Sequence, residues 1–423
     1  MTYNIKTNLI SGILVSFIAL PLCIAISLAS SFPIMSGILT AIIGGIFVSQ
    51  ISGNKIAING PAAGMIVIVL DSVERLGDGN NFKGYLYTLG AISIASLLQF
   101  IISFTKIPNL ARKFPEYIIR GMMMAIGLIV LLKQIFILTN YQAPKVPIIE
   151  FFLYLPKAIL GMQIESFIIG FLIIVLIILW KKKLENLHKI FKIIPVYLVA
   201  IFLGIALAQY IDLKNSHHFL FNQFANPNND NFINISAHIN DSINFANFEL
   251  IYSFKFWFSV ITIFSVGSLE TILSSIALDK IGNTHTDLKK DIRAIGIGNF
   301  CCGMLGGLPM ITEIVRSSAN VSYGANHQSS NFFHGLSLLL MVIFLNSYLN
   351  LIPLCVLAGM LIIIAFNMIN LPNLFEIYNH SKKEFSIILI VIFTTLYIDL
   401  LVGIFIGLIL HYLFNKALKN EKN

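Results

Sequence analysis

Fourteen runs of apolar residues, separated by short polar links, dominate the chain. Most runs approach the roughly 20 residues that an α-helix needs to cross a bilayer, but the third and the tenth are clearly shorter. In chain order the runs cover residues 9–30, 33–51, 56–70, 84–105, 117–138, 165–182, 193–211, 255–279, 290–307, 310–322, 330–347, 350–366, 385–398 and 400–416. The pattern predicts an all-α polytopic membrane protein with fourteen transmembrane segments, two of them half-length.

Composition supports the same class. Of the 423 residues 57% are apolar and 11% are charged, whereas soluble domains carry about 25% charged residues. This composition excludes a soluble enzyme, a disordered chain and a nucleic-acid-binding protein, so the lipid bilayer is the expected surrounding. The first apolar run is longer than the roughly 7–15 residues of a signal peptide core, so we expect it to be retained as a span.

Basic residues mark one side of the membrane. With fourteen spans, every Lys- and Arg-rich link falls on the same side, and alternate links are neutral or acidic. The positive-inside rule makes that side the cytoplasm, with both termini inside and the chain in the inner (cytoplasmic) membrane. The net charge of +8 therefore reflects topology.

One long polar insertion, residues 212–254, divides seven runs from seven and is expected outside. The sequon at Asn234 is read as a chance match in an Asn-rich segment. An odd number of spans per half forces the second half into the opposite orientation, which is typical of inverted repeats. The predicted units are 1–211, the insertion 212–254, 255–416 and a short cytoplasmic tail, 417–423.

The two short runs correspond, since each is the third of its half and follows Gly and Pro residues. Asn-Gly-Pro-Ala-Ala-Gly at 59–64 opens the first, and Gly-Gly-Leu-Pro at 306–309 precedes the second. The residues at 55–58 and 310–312 are predicted to be extended. Interrupted segments at corresponding positions indicate a transporter's binding site.

A helix that begins inside the membrane leaves its first N–H groups free and presents the positive end of its dipole, which favours an anion. Arg316 adds a full charge; its alternative role is a structural ion pair, for example with Glu313. Thr312 is the predicted N-cap of the second short helix, with Glu313 in its first turn. The candidate anion-binding residues are Gly60, Pro61, Ala62, Ala63, Gly64, Ile314, Val315 and Arg316.

Glu270 lies in the middle of an apolar run, where an ionisable residue is costly and points to function. Ser274 is four residues on, on the same helix face. With Ser274 and Thr312 it forms a candidate ion-coupling group, in which Glu270 binds Na⁺ or carries a proton. A structural ion pair with Arg316 is the alternative. Asp399 is predicted to cap a helix.

Further residues have simpler interpretations. Cys23, Cys301, Cys302 and Cys355 lack metal-ligand spacing and are predicted to be buried apolar residues. A face of glycines in the ninth run is predicted to allow close helix packing, and comprises Gly296, Gly298, Gly303, Gly306 and Gly307.

Several of these segments together resemble the SulP family of anion transporters. The similar segments are Ala-Leu-Pro-Leu at 19–22, residues 59–64, Ser-Leu-Glu-Thr at 268–271, residues 306–309, Ile-Val-Arg-Ser-Ser-Ala-Asn-Val at 314–321, Gly-Ala at 324–325 and His-Gly at 334–335. The resemblance extends in order over nearly the whole chain.

The resemblance implies a seven-plus-seven inverted repeat with a core domain (spans 1–4 and 8–11) and a gate domain (spans 5–7 and 12–14). It implies an anion held between the starts of spans 3 and 10, elevator-like motion of core against gate, and a homodimer. Family substrates include sulfate, bicarbonate, chloride and dicarboxylates. Two departures from the family pattern are the expected lack of a STAS domain after the last span and the pair Ala62-Ala63, where some bicarbonate carriers have a hydroxyl residue.

The function expected from the sequence is secondary active transport of a small inorganic anion, sulfate or bicarbonate, coupled to Na⁺ or H⁺, without other cofactors. The alternatives are an anion channel, an exchanger of chloride or dicarboxylates, and a nucleobase–proton symporter of the same fold. An enzyme is not expected, because the sequence has no metal-ligand cluster and no nucleotide-binding loop.

Overall fold

A computed structural model describes residues 4–110, 115–144, 146, 148–188, 191, 194–211, 243–349, 351–398 and 400–420. The predicted sequon at Asn234, the predicted cap Asp399 and most of the insertion lie outside these residues.

In the first half, the described residues form helices and one short strand. Its elements are α1 (Ile5–Ala29), α2 (Ile34–Ile51), β1 (Ile58–Pro61), α3 (Ile66–Gly77), α4 (Asn81–Ile102), α5 (Ile107–Leu110), α6 (Glu116–Leu138), α7 (Phe151–Leu160), α8 (Ile164–Leu187) and α9 (Val196–Tyr210). A wide π-helical turn interrupts α2 at Gly44–Val48, and a 3₁₀ turn, Ala63–Met65, leads into α3.

The second half repeats this order. Its elements are α10 (Phe254–Gly282), α11 (Leu288–Leu305), β2 (Met310–Glu313), α12 (Ile314–Ser322), α13 (Ser329–Leu349), α14 (Leu354–Ile369), α15 (Leu371–His380), α16 (Lys382–Tyr397) and α17 (Leu400–Asn420). Both interruptions come third among the long segments of their half, and each places a strand directly before a short helix.

All fourteen predicted runs coincide with helices, or with a strand that leads into one. Among the described residues, seven helical segments are long and apolar enough to cross a membrane, and three shorter apolar helices accompany them. The helical, multi-pass membrane fold predicted from the sequence is confirmed. The sequence did not predict the short helices α5, α7 and α15, which lie in links between runs, and α3 continues to Gly77, past the predicted end at residue 70.

The helices form two groups. In the first, α11 and α10 pack on α4, α13 packs on α1, and the strand pair lies among them; in the second, α14 and α16 pack on α6, with α17 on α16 and α8 on α14. These groups agree with the expected core and gate, and α1 contacts α9 and α14 across the boundary. Two glycines of the predicted face, Gly296 and Gly303, lie directly against Phe100 and Ser93 of α4, so a side chain there would separate the helices.

Candidate functional site

The two breaks meet in the middle of the first helical group. Strand β1 pairs with β2 in antiparallel register, with Ile58 opposite Glu313 and Pro61 opposite Met310. Helices α3 and α12 therefore leave a shared strand pair in opposite directions. The extended conformation predicted at 310–312 is confirmed, whereas at the first break only Ile58 of the predicted residues 55–58 lies in the strand, which continues to Pro61. The pairing joins the third segment of one half to the third segment of the other.

Side chains from neighbouring helices satisfy the backbone of this strand pair. The Ser317 hydroxyl accepts from the Ile58 N–H at 2.8 Å, and the Asn299 amide oxygen accepts from the Met310 N–H at 2.6 Å. The Asn299 amide also donates to the Met310 carbonyl at 3.1 Å. Irregular backbone at membrane depth is tolerated only when its polar groups are paired or line a wet cavity. These bonds explain how a helical protein keeps two strands in its interior.

The predicted anion-binding residues surround the strand pair. Gly60 and Pro61 lie in β1, Ala62 is extended, and Ala63 and Gly64 form the turn that begins α3; all five are buried. Ile314 and Val315 form the first turn of α12 and keep 37% and 43% of their surface exposed. The structure thus brings both predicted segments together. The side chains of Ile314 and Val315 at the start of α12 are exposed and apolar.

Arg316 is buried, with 1% of its surface exposed. Its guanidinium donates to the Pro61 carbonyl, and its Nη1 lies 3.5 Å from the Cys23 Sγ. A side chain on Gly60 would collide with this guanidinium. Arg316 therefore reaches from α12 across the strand pair to the break in the first half, and fixes the two breaks to each other.

Glu313, not Thr312, is the N-cap of α12. The Glu313 Oε2 accepts from the backbone N–H of Arg316 at 2.7 Å, and lies 3.5 Å from the Arg316 Nε. The predicted cap was wrong by one residue because strand β2 continues through Glu313, opposite Ile58, so the helix begins only at Ile314. The predicted ion pair between Arg316 and Glu313 is present.

Glu270 is 5% exposed, and neither of its carboxylate oxygens has a hydrogen-bond partner among the described residues. Its carboxylate lies against Gly64, at the turn that begins α3. Within the same part of the chain Arg316 pairs with Glu313 and Glu270 forms no ion pair, so the alternative of a Glu270–Arg316 pair is wrong. A buried, unpaired carboxylate beside a helix start calls for a cation or a proton.

The two hydroxyl residues predicted to accompany Glu270 differ in their surroundings. Ser274 is buried one helical turn from Glu270 on α10. The Thr312 hydroxyl donates instead to Asp291 Oδ2 at 3.2 Å. The structure therefore keeps Ser274 on the helix face of Glu270 and engages Thr312 with another carboxylate.

That second carboxylate, Asp291, was missed by the sequence analysis. It is buried in the first turn of α11, and its oxygens accept from the hydroxyls of Ser52 and Ser275 at 2.6 Å each. Together with Thr312, these bonds join α10, α11, β2 and the residue that follows α2. Asp291 was overlooked because its basic neighbours Lys289 and Arg293 are typical of a polar link between spans. Its spacing of four residues from Asp287, the N-cap of α11, would have placed it inside the helix.

We expect Gly64→Ala to impair function while leaving the fold intact. An added methyl group would collide with the Glu270 carboxylate, which is the end of a flexible side chain and is forced to move away. Gly267→Ala is the matched control, because its nearest neighbour would be the Gln99 amide nitrogen at an ordinary 3.4 Å. Uptake by both variants, reconstituted at equal amounts, tests this. Equal activity of the two variants would show that the position of Glu270 is unimportant.

No group of three or more His, Cys, Asp or Glu side chains that could hold a metal ion occurs among the described residues. Cys23, Cys302 and Cys355 are buried, as predicted, and Cys301 is partly buried. The chemistry of the site is therefore that of helix ends, one arginine and carboxylates.

Comparison with known sequences decides the family. The profile of the sulfate permease family matches residues 5–391. The chain belongs to this family. The match includes both breaks and the strand pair between them, and it agrees with the resemblance found in the motifs.

The relatives of this sulfate permease family member have low sequence identity, but their alignments cover nearly all of the chain. It is 24% identical to the putative sulfate transporter YvdB of Bacillus subtilis, over 97% of this chain and 74% of that protein. It is 22% identical to the bicarbonate transporter BicA of Picosynechococcus, over 96% of this chain and 69% of the relative.

Solved structures show the same fold. The transmembrane domain of a cyanobacterial BicA superposes with a TM-score of 0.78 at 20% identity, covering 97% of this chain and 98% of that one. Murine Slc26a9 in the inward-facing state superposes with a TM-score of 0.82 at 16% identity, covering 98% of this chain and 69% of that one. At these identities the likeness concerns the fold alone.

Proposed function

We propose that this protein is a secondary transporter of a small inorganic anion, with sulfate and bicarbonate as the first candidates. The observation that carries the proposal is the strand pair β1–β2, from which two half-length helices start beside a buried arginine. Relatives named as sulfate and bicarbonate transporters support the choice of candidates.

The anion is proposed to bind at the two helix starts. The free N–H groups and the positive dipole end of each helix attract negative charge, and Arg316 reinforces this field from behind the strand pair. Ile314 and Val315 provide the exposed edge of the site. Few polar side chains face the anion, so backbone groups dominate its recognition.

The transport cycle is proposed to be of the elevator type, with the helical group that contains the strand pair moving against the group built on α6. Glu270 supplies the coupling: it is compensated by Na⁺, with Ser274 as a further ligand, or by a proton. The buried Glu270 carboxylate without a partner supports this part of the proposal.

The topology proposed with this function has fourteen spans in two inverted repeats, 1–211 and 255–416, both termini in the cytoplasm and residues 212–254 outside. The corresponding positions of β1 and β2 in the two halves support the repeat. We place the protein in the cytoplasmic membrane, as a homodimer.

An anion channel or an exchanger remains the second candidate, since the same site serves conduction and exchange. A nucleobase–proton symporter is less well supported, because Ala62, Ala63 and Val315 offer no hydrogen bonds to the edges of a base. Counterflow separates a carrier from a channel, because only a carrier is accelerated by substrate on the opposite side.

Uptake into proteoliposomes tests the proposal. Labelled sulfate and bicarbonate are offered with and without inward Na⁺ and pH gradients, and protein-free vesicles are the control. We expect saturable uptake of one of these anions, stimulated by one of the gradients and by the same anion inside. Background-level uptake of both anions under every gradient would contradict the proposal.

A further inference from the structure

Each of the two helix starts already carries a carboxylate of the protein itself. Glu313 caps the nine-residue helix α12, and Glu270 lies against Gly64 where α3 begins. Arg316 pairs with Glu313, and Glu270 has no hydrogen-bond partner among the described residues. A substrate anion therefore enters a site whose favourable positions are already occupied.

The two members of the Arg316–Glu313 pair differ in their freedom to move. Arg316 is 1% exposed and is anchored to the Pro61 carbonyl on the opposite strand, whereas the Glu313 side chain is 14% exposed. Glu313 is thus the partner that can leave. Its departure would free the backbone N–H and the Nε of Arg316 at once, which are two donors suited to an oxyanion.

Glu270 shows that the region around these helix ends is built for a charged ligand. It is buried with both oxygens unpaired among the described residues, and it lies at the start of the other half-length helix. Glu270 is buried in the interior, whereas Glu313 is partly exposed beside Arg316. The adjustable negative charge of the site is therefore Glu313.

We propose that Glu313 is an internal competitor of the substrate. In the empty carrier its carboxylate occupies the start of α12, and a small oxyanion must displace it to bind, so Glu313 sets the affinity of the site. This inference rests on the proposed function, because it assumes that an anion binds at the helix starts.

Two substitutions separate the charge of Glu313 from its capping role. Ser and Asp are both good N-cap residues, so both variants keep the hydrogen bond to the Arg316 N–H, but only Glu313→Asp keeps the charge. Glu313→Gln, which keeps most of the size, is a third variant in case Glu313→Ser folds poorly. Glu165→Ser is the matched control, since Glu165 is an exposed acid in the first turn of α8, outside the strand-pair region.

The measurement is the KM and the maximal rate of anion uptake at one pH, with the melting temperature of each variant. We expect Glu313→Ser and Glu313→Gln to lower the KM about three- to tenfold, as removal of a charge at a helix end would do. Glu313→Asp and Glu165→Ser should keep the KM and the melting temperature of the wild type. Glu313→Ser and Glu313→Gln leave the buried Arg316 without its ion-pair partner, so their melting temperature should fall while the protein stays folded at the assay temperature.

Three results would overturn the inference. An unchanged KM in Glu313→Ser and Glu313→Gln would make Glu313 a helix cap only, and a raised KM would make it a ligand of the substrate or a support for Arg316. A lack of saturable anion uptake by the wild type would remove the proposed function and this role with it. The wild-type measurement distinguishes that last case from the other two.

Discussion

Replacing Glu270 by Gln should abolish the gradient dependence of uptake while the protein remains folded. Gln is nearly isosteric with Glu but cannot ionise, and a bare charge in mid-span costs at least about 2.5 kcal/mol on insertion scales. Because neither carboxylate oxygen has a partner among the described residues, the substitution breaks no hydrogen bond or ion pair of the fold. The effect should therefore appear in coupling and not in stability.

The kind of loss identifies the coupling ion. If Glu270 binds Na⁺, Glu270→Gln loses Na⁺-driven uptake; if it carries a proton, the variant loses pH-driven uptake and still exchanges anions across the membrane. Glu249→Gln is the control, since Glu249 is an exposed acid that accepts from the Tyr87 hydroxyl at 2.8 Å. Unaltered gradient dependence in a stable Glu270→Gln protein would refute the coupling role.

Arg316→Ala should weaken anion binding by about 1.5–3 kcal/mol, the range of hydrogen bonds to charged groups, or roughly 10- to 150-fold in affinity. The loss has two sources. The full positive charge at the start of α12 is lost, and the Glu313 carboxylate loses its ion-pair partner. The substitution should also lower the stability, because it removes the hydrogen bond from Arg316 to the Pro61 carbonyl that links the two breaks.

Two further variants separate binding from folding. Arg316→Lys keeps the charge but loses the planar donors, so we expect an intermediate affinity. Arg293→Ala is the control, because Arg293 belongs to the same helical group and stacks on Phe104 away from the strand pair. The affinities come from titration with unlabelled anion, and the stability from thermal unfolding. Wild-type affinity in folded Arg316→Ala protein would exclude an electrostatic role.

The sequence predicted the breaks well because their signal is local. Clustered Gly and Pro at residues 60–64 disfavour a continuous helix, and the recurrence of such a cluster at residues 306–309 placed both short helices. The charge of Arg316 one turn into α12 was equally visible. These features need no knowledge of neighbouring helices.

Other parts of the site depend on the tertiary structure. The choice of Glu313 over Thr312 as N-cap follows from the strand register, in which β2 pairs as far as Glu313, opposite Ile58. Local preference favours Thr at an N-cap, so the sequence alone pointed to the wrong residue. Asp291 and Asn299 gain their roles only from the serines, the threonine and the backbone that other elements bring to them.

The position of Glu270 combines both cases. The sequence alone singled out Glu270, because a charged residue in mid-span is costly. Its contact with Gly64 depends on how α10 packs beside the start of α3. The sequence-based alternative, an ion pair with Arg316, was reasonable because both residues belong to the same site. In the structure Arg316 forms its ion pair with Glu313 instead.

The central claim, that the substrate binds at the helix starts, is tested most directly by substrate protection of a cysteine at Val315. Val315 is exposed on the first turn of α12, so Val315→Cys, in a background with Cys301→Ser, should react with a small polar thiol reagent in purified protein. Lys83→Cys, at an exposed position near the start of α4, is the control. The account predicts that the transported anion slows labelling of Val315→Cys alone, with half-protection near the KM of uptake. Equal labelling rates with and without a saturating concentration of the transported anion would contradict it.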